Sequence, residues 1–261
     1  MNIASQASNL LSEHLGIIQP SVAIVLGSGF ALELDSVHWQ LRASDIPGFV
    51  TPTVEGHLGC VTAGTLGRRE VLLMQGRVHY YEGNSSDSVT FQVRLANQLN
   101  IRNLILISAA GGIRKTLNPG SIMLVEDHIC AQPLVATRRE RWVYDHSWKD
   151  RVATACNDSS LSSGIYVWTI GPSYETPAEI IAFERRGGDA VGMSLVPEAL
   201  EASALGMRVL AAVVITNYAA GLEEQKLSHK GVLHAATNAQ AHLTNLLTVA
   251  LDQASNLPIV S

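Results

Sequence analysis

The sequence predicts an α/β fold, and three observations carry that expectation. The first is Gly188–Ser194, a short apolar run, followed by a helical pattern and then a second apolar run, Arg208–Asn217. This reads as strand, helix, strand, each run bounded by glycine or polar residues and too short for an isolated helix. The second is a pair of further apolar runs, Val22–Leu26 and Asn103–Ser108, each opening into small residues, Gly27-Ser28-Gly29 and Ala109-Ala110-Gly111-Gly112. The third is the set of helical patterns between these runs. In such folds ligands gather at the carboxyl ends of strands, which makes Ser194 and Asn217, each at a strand tip, candidate site residues. As strand-end caps alone they would be equally ordinary.

Composition supports one sizeable core. The 261 residues are 47% hydrophobic and 16% charged, which argues against disorder. A net charge of −5 without a Lys/Arg-rich block offers no broad attraction for nucleic acid, so an anionic substrate needs a local pocket of donors. Cys60, Cys130 and Cys156 are odd in number and lack metal-type spacing, as expected of reduced thiols in a cytoplasmic protein. The N-terminal residues do not show a basic segment followed by an apolar one. No run approaches the about 18 apolar residues of a membrane span, so neither a signal peptide nor a membrane partner is expected. No internal repeat, low-complexity stretch or linker divides residues 1–261.

In chain order, residues 5–16 form an amphipathic helix stopped by Gly16, and Val22–Leu26 a buried strand. The Gly27-Ser28-Gly29 turn suits an anion, with backbone N–H groups and the Ser28 hydroxyl, or is simply a tight corner; a dinucleotide fingerprint would need a third glycine. A Gly/Pro/Thr-rich loop spans Pro47 to Gly59. Strands Cys60–Thr65 and Glu70–Gln75 follow, joined by a turn at Gly67-Arg68-Arg69. If the next segment is extended, Arg77, His79 and Tyr81 share one face, either an oxyanion clamp or a solvated strand face.

Residues 87–100 read as a helix, Asn103–Ser108 as a strand turning at Ala109, and Ser121–Val125 as a strand ending at Glu126-Asp127-His128. That acidic-histidine trio lacks a second cluster to complete a metal site and reads as a hydrogen-bonded turn. From Pro133 to Ser163 the chain is polar and irregular, a lid, a subunit contact or a surface loop, with Trp142, Tyr144 and Trp148 exposed. Gly164–Ile170 is a strand. The turn after it carries Tyr174 and Glu175 before a helix over 178–187, and an aromatic ring beside a carboxylate suits a planar heterocycle. Pro197 and Glu198 belong to the first turn of a helix, and a long helix runs from about Ser228 to Asn256 with His229 in its first turn.

Taken together, several segments resemble the trimeric purine nucleoside phosphorylase family. They are Leu26-Gly27-Ser28-Gly29, Pro47-Gly48-Phe49 with Gly56-His57, Gly76–Gly83, Ala109–Gly112, Gly171–Thr176, Asp189–Glu198, and Ile215-Thr216-Asn217 with His229. The resemblance implies a single-domain phosphorylase fold over residues 1–261, a mixed central β-sheet flanked by helices, assembled as a homotrimer. It places Ser28, Arg77, His79, Ser194 and the backbone of Ala109 around phosphate, with His57 on a nearby loop. Tyr81 and Met193 would contact ribose, and His229 its 5′-hydroxyl. Glu175 and Asn217 would hold the purine, with Tyr174 packed on the ring. Among these His79, Glu175, Asn217 and His229 are the catalytic candidates.

The implied reaction is phosphorolysis of 6-oxopurine nucleosides (inosine, guanosine, also xanthosine) to free base and ribose 1-phosphate. Phosphate is a co-substrate, and neither metal nor organic cofactor is needed. A methylthioadenosine-type phosphorylase is the alternative within the class, and a non-catalytic nucleoside-binding relative the alternative outside it. The chain departs from the family pattern at Gln132-Pro133-Leu134, where the family has Asn-Pro-Leu. It also lacks the Gly-Pro-Asn-Asp turn that follows, places Arg141-Trp142 where Arg-Phe is usual, and has Ser108 in place of Asn.

Overall fold

A sheet of nine strands carries the structure, a computed structural model that describes residues 3–27, 30–51, 59–132, 142–158, 160–222 and 239–254. The strands are β1 (Val22–Leu26), β2 (Ser36–Arg42), β3 (Cys60–Leu66), β4 (Arg69–Gln75), β5 (Asn103–Gly112), β6 (Ile122–Cys130), β7 (Leu161–Trp168), β8 (Ala190–Gly192) and β9 (Arg208–Tyr218). Their order is β2-β3-β4-β1-β5-β8-β7-β6-β9, and β9 also pairs with β5, so the last five strands close into a ring. Pairing is mixed: β1 runs parallel to β4 and β5, whereas β3 with β4 and β6 with β9 are antiparallel. Among the described strands only β2 has a neighbour on one side alone, and its pairing with β3 slips between Val37 and Trp39.

Helices cover both faces, which explains why the central strands are continuously apolar rather than alternating. On β5, Leu104 and Leu106 enter one core while Ile105 and Ile107 enter the other; on β9, Val209, Ala211 and Val213 face the first and Leu210, Ala212 and Val214 the second. The first core is closed by α1 (Ile3–Leu15), α3 (Phe91–Gln98) and α6 (Val196–Ala204) through Leu11, Leu95 and Ala199. The second is closed by α4 (His146–Cys156) and α7 (Gln240–Gln253) through Trp148, Leu243 and Leu247. Two smaller helices complete the set, α2 (Ser86–Val89) and α5 (Pro177–Arg185). No helix of the described residues is long and apolar enough to cross a membrane.

The single α/β domain with a mixed, helix-flanked sheet is as the sequence predicts, and β1 has the expected bounds. Several local expectations are corrected. The small residues after Ser108 do not turn the chain. β5 continues through them, because Gly111 and Gly112 pair with Asn217 and Tyr218 of β9 on one side and with Val191 and Ala190 of β8 on the other. A Cβ on Gly112 would sit 2.8 Å from the Leu117 carbonyl, so the small residues serve close packing inside the sheet. β6 likewise runs on to Cys130, because Asp127–Cys130 pair with Ile165–Trp168, and the Glu126-Asp127-His128 trio lies within the strand.

The helix expected over 87–100 is split at Thr90 into α2 and α3, and β2, largely exposed, has no apolar run to announce it. The stretch 133–163 contains a helix, α4. Trp148 is fully buried there, its indole N–H donating to the Ala250 carbonyl at 2.9 Å, and Tyr144 is buried as well; only Trp142 is exposed, at 62%. The chain-terminal helix is described only from Gln240, so its expected start at Ser228 and His229 lies outside the described residues.

Candidate active site

Arg77 follows β4 and is one of the most buried side chains, 1% exposed. Its Nε–H donates to both carboxylate oxygens of Glu198, at 2.9 and 2.8 Å, and Nη1 donates to the Ile107 carbonyl at 2.7 Å. The remaining nitrogen, Nη2, is buried and has no hydrogen-bond partner among the described residues. Gly27, at the carboxyl end of β1, leaves the space this guanidinium needs: a Cβ there would lie 2.9 Å from Nη1. A guanidinium held at Nε and Nη1, with the Nη2 hydrogens unspent, is suited to an anion.

His79 is joined to a second chain of bonds. Its Nδ1 lies 3.1 Å from Oε1 of Glu82, which also accepts the His79 backbone N–H at 2.7 Å, and its Nε2 lies 3.0 Å from Oγ of Ser194. A carboxylate only accepts, so Nδ1 carries the proton that Glu82 receives, and Nε2 is left to pair with the Ser194 hydroxyl. Ser194 is set by the turn from β8 into α6, where Leu195 has φ +54°, and its backbone N–H donates to the Tyr166 hydroxyl at 3.3 Å. Burial pushes the Tyr166 hydroxyl pKa far up, so it stays protonated.

The face predicted to unite Arg77, His79 and Tyr81 by strand alternation is not built that way. Tyr80–Glu82 form a single 3₁₀ turn stopped by Gly83 at φ +84°. The turn still joins two of them, for the Tyr81 ring stacks on His79 with centroids 4.7 Å apart and planes 13° from parallel. Tyr81 and Met193 flank Gly171, where a Cβ would come 3.0 Å from the Tyr81 ring and 2.3 Å from the Met193 sulfur. Burial first, then the nearby Glu82 and Tyr174, push the Tyr81 hydroxyl up to about 12. It is therefore a neutral donor at physiological pH.

The other end of the site is more open. Glu175 lies on the turn between β7 and α5, and its Oε1 accepts from the Thr169 hydroxyl at 2.8 Å. The turn is fixed by a reciprocal cap between Thr176 and Glu179 at the start of α5. Tyr174 is 44% exposed. Asn217, on β9, accepts the Thr216 hydroxyl at 2.9 Å on Oδ1 and donates from Nδ2 to the Tyr218 carbonyl at 2.8 Å. The second Nδ2 hydrogen is left for a ligand. Gly111 passes close by, a Cβ there falling 3.2 Å from Nδ2. Ala109 lies on β5 opposite Val214, and its carbonyl approaches Gly192.

The structure therefore gathers Arg77, His79 and Ser194 into bonded chains and sets Tyr81 and Met193 around Gly171. Ser28, His57 and His229 lie outside the described residues. Four contributors escaped sequence reading. Glu82 and Glu198 were in view as motif and helix-start residues without partners, and Tyr166 and Thr169 lay unremarked within and beyond β7. Among the described residues no three His, Cys, Asp or Glu side chains come together as a metal site.

The chain is similar to known proteins over most of its length. Residues 21–252 match the profile of the Phosphorylase superfamily. The chain is 38% identical over 252 residues to purine nucleoside phosphorylase 1 of Geobacillus stearothermophilus, covering 90% of this chain and 92% of that one. It is 36% identical to the purine nucleoside phosphorylase of Mycobacterium leprae, covering 94% of both. Among solved structures, Schistosoma mansoni purine nucleoside phosphorylase in complex with inosine superposes with a TM-score of 0.84 at 28% identity, over 98% of this chain and 96% of that one. The same enzyme in complex with adenosine gives 0.84 as well, at 28% identity over 98% and 97%.

Proposed function

The chain belongs to the Phosphorylase superfamily, among its purine nucleoside phosphorylases, and on that premise we propose that it cleaves 6-oxopurine nucleosides with inorganic phosphate as co-substrate. The observation that carries the reading is the buried, unspent Nη2 of Arg77, two residues before the His79 that pairs with Ser194. An unpaired buried donor on a charged group is costly, and a phosphate oxygen satisfies it.

In the proposed reaction a phosphate oxygen forms a bond to C1′ of ribose as the C1′–N9 bond breaks and its electron pair moves into the purine. Positive charge develops on the sugar and is stabilised by the phosphate dianion held beneath it. The leaving base takes up a proton, and the free Nδ2 hydrogen of Asn217 supports N7 while negative charge grows there. Glu175 accepts from the N1–H edge, and Tyr174 packs on the ring. Tyr81 and Met193 line the ribose, and His229 reaches its 5′-hydroxyl. Ser28, the Ala109 backbone and His57 complete the phosphate contacts. Binding both reactants in one orientation removes much of the entropic barrier.

A 6-oxo group suits an amide at position 217, which both donates and accepts; inosine, guanosine and xanthosine share that edge. No metal or organic cofactor enters the scheme. We further infer a cytoplasmic homotrimer, a reading supported by cysteines that form no disulfide and by exposed Trp142 at the margin of the 133–141 segment.

The test is turnover of inosine by the purified protein with and without phosphate, assaying hypoxanthine and ribose 1-phosphate. Release of both only when phosphate is present is the expected result. No release from inosine, guanosine or xanthosine would overturn it.

A further inference from the structure

We propose that Glu198 is a positioning residue for phosphate: it fixes the roll of the Arg77 guanidinium so that Nη2, and no other edge, is offered to the anion. The inference rests on the phosphate-dependent reading above and concerns a residue that this reading leaves without a role.

The geometry is specific. A guanidinium can rotate about its long side chain and present any of several donor edges. Here both Glu198 oxygens close on Nε, at 2.9 and 2.8 Å, and the Ile107 carbonyl closes on Nη1 at 2.7 Å. Two of three nitrogens are thereby committed, and the third is buried without a partner among the described residues. A pair built for stability alone would put the carboxylate across two nitrogens, as a bidentate fork, and leave no charged donor orphaned. Concentrating both oxygens on Nε does the opposite: it neutralises the guanidinium while sparing a donor.

The location of Glu198 adds a second function to that contact. It sits in the first turn of α6, four residues after Ser194, whose hydroxyl meets His79. The intervening Leu195 has φ +54° and is fully buried, an uncommon backbone state for a branched residue that its surroundings must impose. One fixed turn therefore presents Ser194 to His79 and Glu198 to Arg77, and couples the two donors by a single rigid element. Because Glu198 is 1% exposed and 121 residues from Arg77 in sequence, the contact exists only in the folded chain.

Glu198→Gln tests this directly. The shape is kept, but the amide places an N–H donor against the Arg77 Nε–H, so the fork must roll. The expected result is a rise in KM for phosphate of about tenfold, with KM for inosine and kcat at saturating phosphate within about twofold of the parent. Glu198→Asp retains the charge at shorter reach and should fall between. A merely structural carboxylate would instead lower Tm and the active fraction while leaving the two KM values in their parental ratio.

An unchanged phosphate KM in a folded Glu198→Gln enzyme overturns the inference, as does an equal rise in both KM values. Insolubility of both variants overturns it too, since the carboxylate would then serve the fold. The parent enzyme separates this from the parent reading: if base release from inosine does not depend on phosphate, the phosphorolysis reading fails first. If it does depend on phosphate and Glu198→Gln is unmoved, only the role of Glu198 fails.

Discussion

The proposed phosphate end and the proposed purine end of the site are built on different plans. At the phosphate end, beside the local pairing of His79 with Glu82, the bonds join residues far apart in sequence: Arg77 to Glu198 across 121 positions, Arg77 to Ile107 across 30, and His79 to Ser194 across 115. At the purine end Glu175 is held by Thr169 six positions away, and Asn217 by its own neighbours Thr216 and Tyr218. The first end is a product of the tertiary fold, buried and already arranged for an anion. The second is local, half-exposed, and its groups must exchange or share existing bonds when a base arrives. Preorganisation is concentrated where charge is greatest, which is where it is most effective.

Variants that act on one end and not the other test this division. The largest effect is expected of Glu175→Ala, which removes the acceptor proposed for the purine N1–H edge. It should lower kcat/KM for inosine roughly 10- to 100-fold while phosphate KM stays put, and a parallel loss of phosphate affinity in steady-state kinetics would show that the two ends act as one. Next comes Asn217→Asp, which replaces the N7 donor by an acceptor. The ratio of inosine to adenosine turnover should fall by about tenfold, read from competition between the two nucleosides.

Ser194→Ala removes a hydrogen bond to His79. Phosphate KM should rise about fivefold, in keeping with a loss of about 1 kcal/mol, with inosine KM constant. The smallest effect is expected of Asp145→Ala, remote from both ends. Asp145 caps α4 by accepting the Trp148 N–H at 2.8 Å and pairs with Arg208 at 2.7 Å. Activity should be retained and stability should fall by about 1 kcal/mol in denaturant unfolding, the half-exposed ion pair adding little to the lost cap.

The pH dependence of that last difference has a definite sign. Burial alone would raise the Asp145 carboxyl, but the Trp148 N–H, Arg208 and Arg151 hold it below its usual 3.8. A depressed carboxyl stabilises the fold above the unfolded pKa and loses that contribution as pH falls through the folded one. The gap between parent and Asp145→Ala should therefore be full at neutral pH and close below about pH 4.

The same division explains how much was legible in the sequence. Contiguous signals came through: the apolar run of β1, the Gly67 hairpin, and the Tyr174-Glu175 turn before a helix. Tertiary choices did not. Whether Ala109–Gly112 turns or stays in the sheet depends on β8 and β9, which flank it on both sides. Whether Trp148 is a surface anchor or a core residue depends on α7, whose Ala250 carbonyl takes its N–H. Glu198 on Arg77 and Ser194 on His79 lie at the start of a helix more than a hundred residues on, and no spacing rule could have joined them, although Glu82 is only three residues from His79. Period-two alternation failed over residues 77–81 because a 3₁₀ turn, not a strand, brings Tyr81 against His79.

The ring of β5, β8, β7, β6 and β9 has a further consequence, for solubility. Closed upon itself, it gives each of its five strands a neighbour on both sides. Among the described strands β2 alone has a neighbour on one side only, and β2 is poorly suited to recruitment. Its register slips beside His38, whose ring reaches across to Glu70 on β4 at 2.9 Å, and Arg42 ends it with a charge. An irregular, charged border of this kind resists strand addition from a neighbouring molecule.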